Sequence, residues 1–415
     1  MLNAPVSERR TGLFYYIRTD VMKSSPLLML LFATFAGTLG AQVTTGQGAA
    51  PGVPGAVTVS GKVINEGTQA PVPYSTVRLE PIGRDRFTER NGTFSYFSIP
   101  PGEYRLQVRM LGYIPIDSAI TVEPNVPLSV TIMMTRIPTS LGEVQVTAPP
   151  RLCIFPNEAG FVDDPELATV LDEARKNAQR EQLLRRTYPF EYRLAQSHET
   201  YDPASSRSSR QYDTVTFRSD DSWRYRRGRV VSEDHSRLFG EIRLMRLPTV
   251  ADLADKTFLT SHCFKYSGIV DEDGRPAHRL DFLSDSTLKA PDVEGSIFLD
   301  SATYLIRRAQ FRLTRGESLK PAILGLQVTT TYREILPNVA LFDEIRSVQP
   351  VATPSSRPGG LREFREVQKL LGYRFLYGGP PGTEGHKWIA ATAMSAGSES
   401  GRGNGVSQGK YGPPP

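Results

Sequence analysis

The sequence predicts a mainly β fold, with a small β-sandwich near the N-terminus and an α+β domain behind it. Three observations lead there. First, Asn91 to Tyr113 reads as a hairpin: the turn dipeptide Asn91-Gly92, a short strand Phe94 to Ile99, the turn Pro100-Pro101-Gly102, then clean alternation. Tyr104, Leu106, Val108 and Met110 point one way and Arg105, Gln107 and Arg109 the other, the period of a strand with one core face and one wet face. Second, apolar residues recur at helical spacing from Asp163-Asp164-Pro165 to about Arg186. Third, that helix is followed by strand-length segments joined by turn residues, the order of an antiparallel meander.

In chain order, Lys23 precedes the apolar run Leu27 to Ala36, which leads to small residues ending at Ala41. A positive start, an apolar middle and a small-residue cleavage site define a secretory signal, so residues 1–41 are expected to be a signal region and the protein to be exported. Met22 is placed to begin that signal, which would make 1–21 an upstream extension. The run is shorter than the roughly 20 residues of a spanning helix, and no transmembrane helix is expected in the mature chain. Residues 42–56 are a Gly, Ala, Thr and Pro linker with nothing to bury.

From Val57 to Met134 the chain reads as about seven short strands. Val57, Val59, Gly61 and Val63 alternate with Thr58, Ser60 and Lys62. Pro71 to Glu80 gives a second strand, and Leu128, Val130, Ile132 and Met134 form the inward side of the last. Turn signals at this spacing argue a sandwich. Five segments occur in order within it: Val59 to Val63, Pro73 to Val77, Thr88 to Phe94, Ile99 to Tyr104 and Met110 to Tyr113. Together they resemble the carboxypeptidase regulatory-like domain, an immunoglobulin- or transthyretin-like sandwich classed with carbohydrate-binding-like folds. The resemblance rests on turn and core residues, so it implies a fold and says little about chemistry. Leu141 to Ala148 is similar to the segment that follows this domain in TonB-dependent outer-membrane receptors, and the sandwich with that segment is bounded at 57–148.

A linker, 149–164, precedes the α+β domain, bounded at 165–375. An acidic cap and Pro165 at the first helical position start its helix, and Thr187-Tyr188-Pro189 stops it. Leu167, Val170, Leu171, Ala174 and Ala178 form the buried stripe, with Asp172, Glu173, Arg175 and Lys176 expected on the opposite, wet face. Strands follow at Phe190 to Ala195, Asp213 to Phe217, Trp223 to Arg227, Phe258 to Val270, Ala277 to Leu283, Gly295 to Asp300, Tyr304 to Leu313, Val328 to Tyr332 and Leu341 to Val348. Asp271-Glu272-Asp273-Gly274 and Asp300-Ser301-Ala302-Thr303 are the hairpin turns. The hairpin from Gly295 to Arg308 is similar to one common in periplasmic half-barrels that carry lipoproteins, which extends the expectation to a half-barrel sheet. Residues 376–415 are Gly, Ser and Pro with little to bury and are expected to be disordered.

No catalytic set emerges. A zinc peptidase needs a His-x-x-Glu pair. The nearest approach, His278-Arg279-Leu280-Asp281, falls in a strand, where residues three apart face opposite sides. His262 and Cys263 fail for the same reason. Gly405-Val406-Ser407-Gln408-Gly409 has the letters of a nucleophile elbow without the strand and helix that strain it. No catalytic residue, metal site or cofactor is therefore expected. Tyr96, Phe97 and Tyr113 are the candidate ligand-facing aromatics, since a flat ring can stack on a sugar, although alternation places some of them in the core. Cys153 and Cys263 either pair in an oxidising compartment or stand as two buried thiols.

The formal charge of +5 is modest, and export removes nucleic acid from the expected partners. The function expected is a non-catalytic binding or scaffolding role in the periplasm, at the outer membrane or outside the cell, with an envelope protein or a glycan as partner. Two alternatives stand beside it: a periplasmic carrier of lipid or lipoprotein, and an accessory of TonB-dependent transport.

Overall fold

The structure, a computed structural model, describes residues 15–18, 54–138, 153, 164–203, 205–219, 224–236, 240–245, 248–320, 322–352, 360–380, 382–383 and 385–391. Strand β1 (Tyr15–Arg18) lies in the stretch read as an upstream extension and pairs antiparallel with β12 (Gly240–Met245). The rest of the expected signal, residues 141–148 and the Gly405 to Gly409 motif fall outside the described residues.

Seven strands build the sandwich: β2 (Val57–Asn65), β3 (Thr76–Glu80), β4 (Arg84–Phe87), β5 (Thr93–Ile99), β6 (Gly102–Arg109), β7 (Ile116–Val122) and β8 (Leu128–Met134). They form two sheets, β5-β2-β8 and β4-β3-β6-β7. In the first, β2 runs parallel to β8 and antiparallel to β5. Val59, Val63, Val77, Leu79, Phe94, Ile99, Leu106, Val108, Ile132 and Met134 fill the space between the sheets. Gly61 is required at the centre of β2, because a Cβ there would lie 2.6 Å from both the Phe94 ring and the Val130 carbonyl oxygen. At the β4–β5 turn the Asn91 side chain accepts from Thr93 N–H, and Gly92 takes φ 80°, a conformation open to glycine.

Helix α1 (Pro165–Thr187) begins as its residues dictate: the Asp164 carboxylate caps Leu167 N–H at 2.9 Å and Pro165 occupies the first turn. Behind it come β9 (Phe190–Asp202), β10 (Arg207–Arg218), β11 (Val231–Ser236) and β12 (Gly240–Met245). A single 3₁₀ turn at Val250–Ala254 and the short helix α2 (Lys256–Ser261) follow. Then come β13 (His262–Glu272), β14 (Arg275–Ser284), β15 (Asp292–Asp300), β16 (Ile306–Thr314), β17 (Gln327–Leu336), β18 (Val339–Ala352), β19 (Leu361–Phe375) and β20 (Ile389–Ala390). Phe258, expected to open a strand, sits in α2 instead, because Asp255 caps Thr257 N–H and starts a helical turn. The main sheet runs β10-β9-β19-β18-β17-β16-β15-β14-β13, with β20 on β19, and all these pairs are antiparallel. Its end strands β10 and β13 do not pair with each other, so the sheet is open. Both turns of the β13–β16 meander form as read: Asp271 accepts from Gly274 N–H, and Asp300 from Thr303 N–H and hydroxyl.

Two expectations are corrected. Residues from 376 onward, read as a disordered tail, include β20, which pairs Ile389 with Tyr373 and Ala390 with Gly372. Arg193 and Arg374 lie over the Trp388 ring, 4.5 and 5.1 Å from its centre, and hold this segment against the sheet. The wet face assigned to α1 is also only half present: Asp172 and Arg175 stay partly exposed, while Glu173 and Lys176 do not. Glu173, Lys176, Asn177, Arg180 and Glu181 are all buried, because the helix lies between the main sheet on one side and the sandwich on the other.

Candidate binding cleft at the junction

Helix α1 supplies one side chain after another to the seam between the two β structures. Glu173 accepts from Gly112 N–H at 2.9 Å, and Lys176 donates to Glu173 at 2.6 Å and to the Tyr113 carbonyl at 2.9 Å. One turn on, Asn177 donates to the Tyr304 carbonyl and accepts from Ile306 N–H, each at 2.9 Å. Arg180 donates to the Asn338 carbonyl at 2.7 Å and lies over the Phe87 ring. Phe87 in turn stacks on Tyr188, and Arg186 pairs with Asp85. Glu173 and Lys176 fit this role because residues three apart on a helix share a face.

Burial raises the Glu173 carboxyl above its ordinary range, against the pull of Lys176. Burial also draws the Arg180 guanidinium down to about 9, so it remains charged at neutral pH. A buried pair of this kind fixes a geometry more than it adds stability, since desolvation offsets most of its Coulombic gain.

A cleft of about 760 Å³ opens beside this seam. The loops Asn65 to Pro73, Met110 to Tyr113 and Thr135 to Ile137 line it from the sandwich, and Ala302 to Tyr304 with Asn338 from the sheet. The Tyr113 hydroxyl accepts from Asn65 at 3.1 Å, and Arg136 lies over the Tyr113 ring at 5.4 Å. Tyr304, whose ring stacks on His278 at 4.7 Å, forms the opposite wall. Mixed apolar and hydrogen-bonding walls at a boundary between two units are the usual setting of a ligand site.

The three candidate aromatics part company. Tyr96 is fully buried and its hydroxyl donates to the Val77 carbonyl at 2.8 Å, so it is a core residue and no ligand platform. Burial pushes its hydroxyl pKa well up. Phe97 is 63% exposed, on the far side of β5 from Tyr96. Tyr113 is 8% exposed, and it is the one that reaches the cleft. The structure does not bring Phe97 and Tyr113 together in that cleft. Cys153 and Cys263 are bonded, their Cα atoms 5.6 Å apart, and the Cys153 carbonyl accepts from Ser286 N–H and hydroxyl. His278 and Asp281 on β14 part to different partners, Tyr266 and Ser267 respectively. Among the described residues no group of three or more His, Cys, Asp and Glu is placed to hold a metal ion.

The sequence reading missed Arg136, Tyr304 and the buried helix charges. Of these, the i, i+3 spacing of Glu173 and Lys176 was visible, but it reads equally well as a solvated pair.

The sandwich decides the family of its own segment. Residues 58–135 match the carboxypeptidase regulatory-like domain. The cleft therefore forms between a regulatory-like domain and the sheet behind it. No curated protein matches the chain. Among solved structures, a cohesin–X-dockerin complex of Acetivibrio cellulolyticus shares 22% identity over 19% of this chain and 56% of its own, with a TM-score of 0.17. The chain thus spans little over half of that relative. A Vibrio parahaemolyticus domain named for outer membrane lipoprotein sorting shares 12% identity over 50% of this chain and 94% of its own, at a TM-score of 0.28. A streptococcal ancillary pilin shares 9% over 56% and 60%, at 0.18. Similarity at this level carries no functional weight. Among the described residues no helix is long and apolar enough to cross a membrane.

Proposed function

We propose that this chain is an exported, non-catalytic binding or scaffolding protein of the cell envelope, and that its ligand, a protein segment or a glycan, sits in the cleft between the regulatory-like domain and the main sheet. The units meant are the segments 57–148 and 165–375. The observation that carries the reading is the construction of the cleft: both units contribute walls, and Glu173, Lys176, Asn177 and Arg180 hold those walls in one arrangement. Preorganised walls lower the ordering cost of binding. The match to a regulatory-like rather than a catalytic domain supports a binding role.

The carrier alternative needs a hollow between helix and sheet. There, Leu167, Val170, Leu171, Ala174, Leu183 and Leu184 of α1 share one continuous core with Phe190, Leu194, Leu280, Phe282, Phe311 and Ile345 of the sheet. That packing counts against an acyl chain in this position.

The test is a binding screen of the purified chain against envelope glycans and envelope protein extracts, repeated with Ala302→Trp and Arg136→Ala. Ala302 and Arg136 are exposed on opposite walls of the cleft. The proposal expects tryptophan to fill the cleft and abolish capture while the fold persists, and Arg136→Ala to weaken capture about tenfold, the loss of one hydrogen-bonding contact. A ligand held equally by both variants would place the site elsewhere.

A further inference from the structure

The long strand β10 poses a problem that the cleft does not address. It is a 12-residue strand at the end of the main sheet, bonded to β9 on one side, and among the described residues no strand lies on the other. Its outer row of N–H and C=O groups is a template for a further strand, and natural sheets guard such edges with charge, bulges or brevity. Here the register against β9 runs unbroken from Arg207↔Asp202 to Arg218↔Glu191, so no bulge twists the edge away. Residues Arg207 to Thr214 are all exposed, and Tyr212 is 73% exposed in an otherwise polar stretch. Tyr212 is held upright: Arg210, itself paired with Glu199 at 2.9 Å, also reaches the Tyr212 hydroxyl at 3.4 Å.

We infer that β10 is the interface for a second copy of this chain, paired antiparallel across a two-fold axis at Tyr212, so that two main sheets join edge to edge. A second copy fits this edge, and the geometry selects the register. A two-fold axis normal to the sheet keeps each side chain on its own face, so it must pass through a residue position and not between two. Full overlap of a strand spanning Arg207 to Arg218 then leaves two choices, an axis at Tyr212 or at Asp213. The axis at Asp213 sets two carboxylates directly opposite each other, which is destabilising. The axis at Tyr212 sets tyrosine against tyrosine, Arg210 against Thr214, Gln211 against Asp213, Ser209 against Val215 and Arg207 against Phe217. No like charges meet in that register, and an aromatic cross-strand pair is favourable. Arg207 and Arg210 disfavour any partner edge that would set a lysine or arginine opposite them, which this register avoids.

The experiment measures mass in solution by light scattering across a concentration series of the full chain, with Tyr212→Glu, Tyr212→Lys and their equimolar mixture. Tyr212 is on the surface, so none of these changes removes core packing. The expected result is twice the 46.0 kDa chain mass for the unaltered protein, the single mass for each variant alone, and recovery of the doubled mass on mixing. Tyr212→Cys should form an intermolecular disulfide under oxidation, while Thr214→Cys, which faces Arg210, should not. A single mass for the unaltered chain at every concentration, a doubled mass that survives Tyr212→Glu, or preferential crosslinking of Thr214→Cys would each overturn the inference.

Discussion

Replacing Lys176 with methionine should expose how the seam works. The substitution keeps an unbranched side chain, one atom shorter, and removes the charge that faces Glu173, which is fully buried. Breaking a buried pair from one side costs about 3–5 kcal/mol, because the remaining charge loses its compensation. At unfolding slopes of about 2–3 kcal/mol/M the urea midpoint should fall by about 1–2.5 M at pH 7. The pH dependence then separates this cause from simple loss of packing. Burial raises the folded Glu173 pKa above the unfolded value, so its contribution to stability is full at acid pH and is lost as pH rises through the folded value. Without Lys176 that folded value climbs further, so acidification should restore part of the deficit. The hydrogen bond from Lys176 to the Tyr113 carbonyl stays lost at every pH, so restoration is incomplete. Adding Glu173→Gln, which keeps an acceptor for Gly112 N–H, should cost less than the two single changes summed, by at least about 1 kcal/mol. Additive single changes, or a deficit that is the same at pH 5 and pH 8, would refute the reasoning.

Two further outcomes follow from buried groups elsewhere. Desolvation holds the Glu366 carboxyl up at about 7, so its favourable contribution is complete below the ordinary carboxylate range and disappears as pH rises through neutrality. Glu366→Gln should therefore leave stability at pH 5 nearly unchanged and raise it at pH 8 by up to about 3 kcal/mol, read by thermal melting at both pH values. The bond between Cys153 and Cys263 closes a separation of 110 residues, and Cys153→Ala with Cys263→Ala should cost about 4–5 kcal/mol. The check is that a reductant lowers the melting temperature of the unaltered chain and not that of the double variant.

How far the sequence could be read depended on which physical signal each segment carries. The β6 alternation of Tyr104, Leu106, Val108 and Met110 was legible because a half-buried strand writes its two environments into every second residue. The same rule was harder to apply in β5. There the pairing with β2 shifts between Val57 and Val59, Ser98 takes φ 56°, and Ile99 is buried although it lies an odd number of residues from Tyr96. Helix α1 shows the opposite failure. Its apolar stripe was read correctly, but Glu173, Lys176 and Arg180 carry no mark that distinguishes a charge facing water from one facing a partner within the same chain. The cleft was illegible for a related reason. Its walls come from residues as far apart as Asn65 and Asn338, and no local pattern announces which turns the fold will bring together.

The position of α1 has a consequence for the order in which the chain acquires its shape. The sandwich core is made wholly of residues between Val57 and Met134, so it can close as soon as that stretch is available. It closes unfinished. Tyr74 and Phe87 belong to the core shared with the helix and sheet, and the Tyr113 carbonyl waits for Lys176. A sandwich made first would present a sticky, half-dry patch until more than fifty further residues arrive to cover it. Exposed apolar surface of that kind is what makes a partly folded chain prone to aggregate.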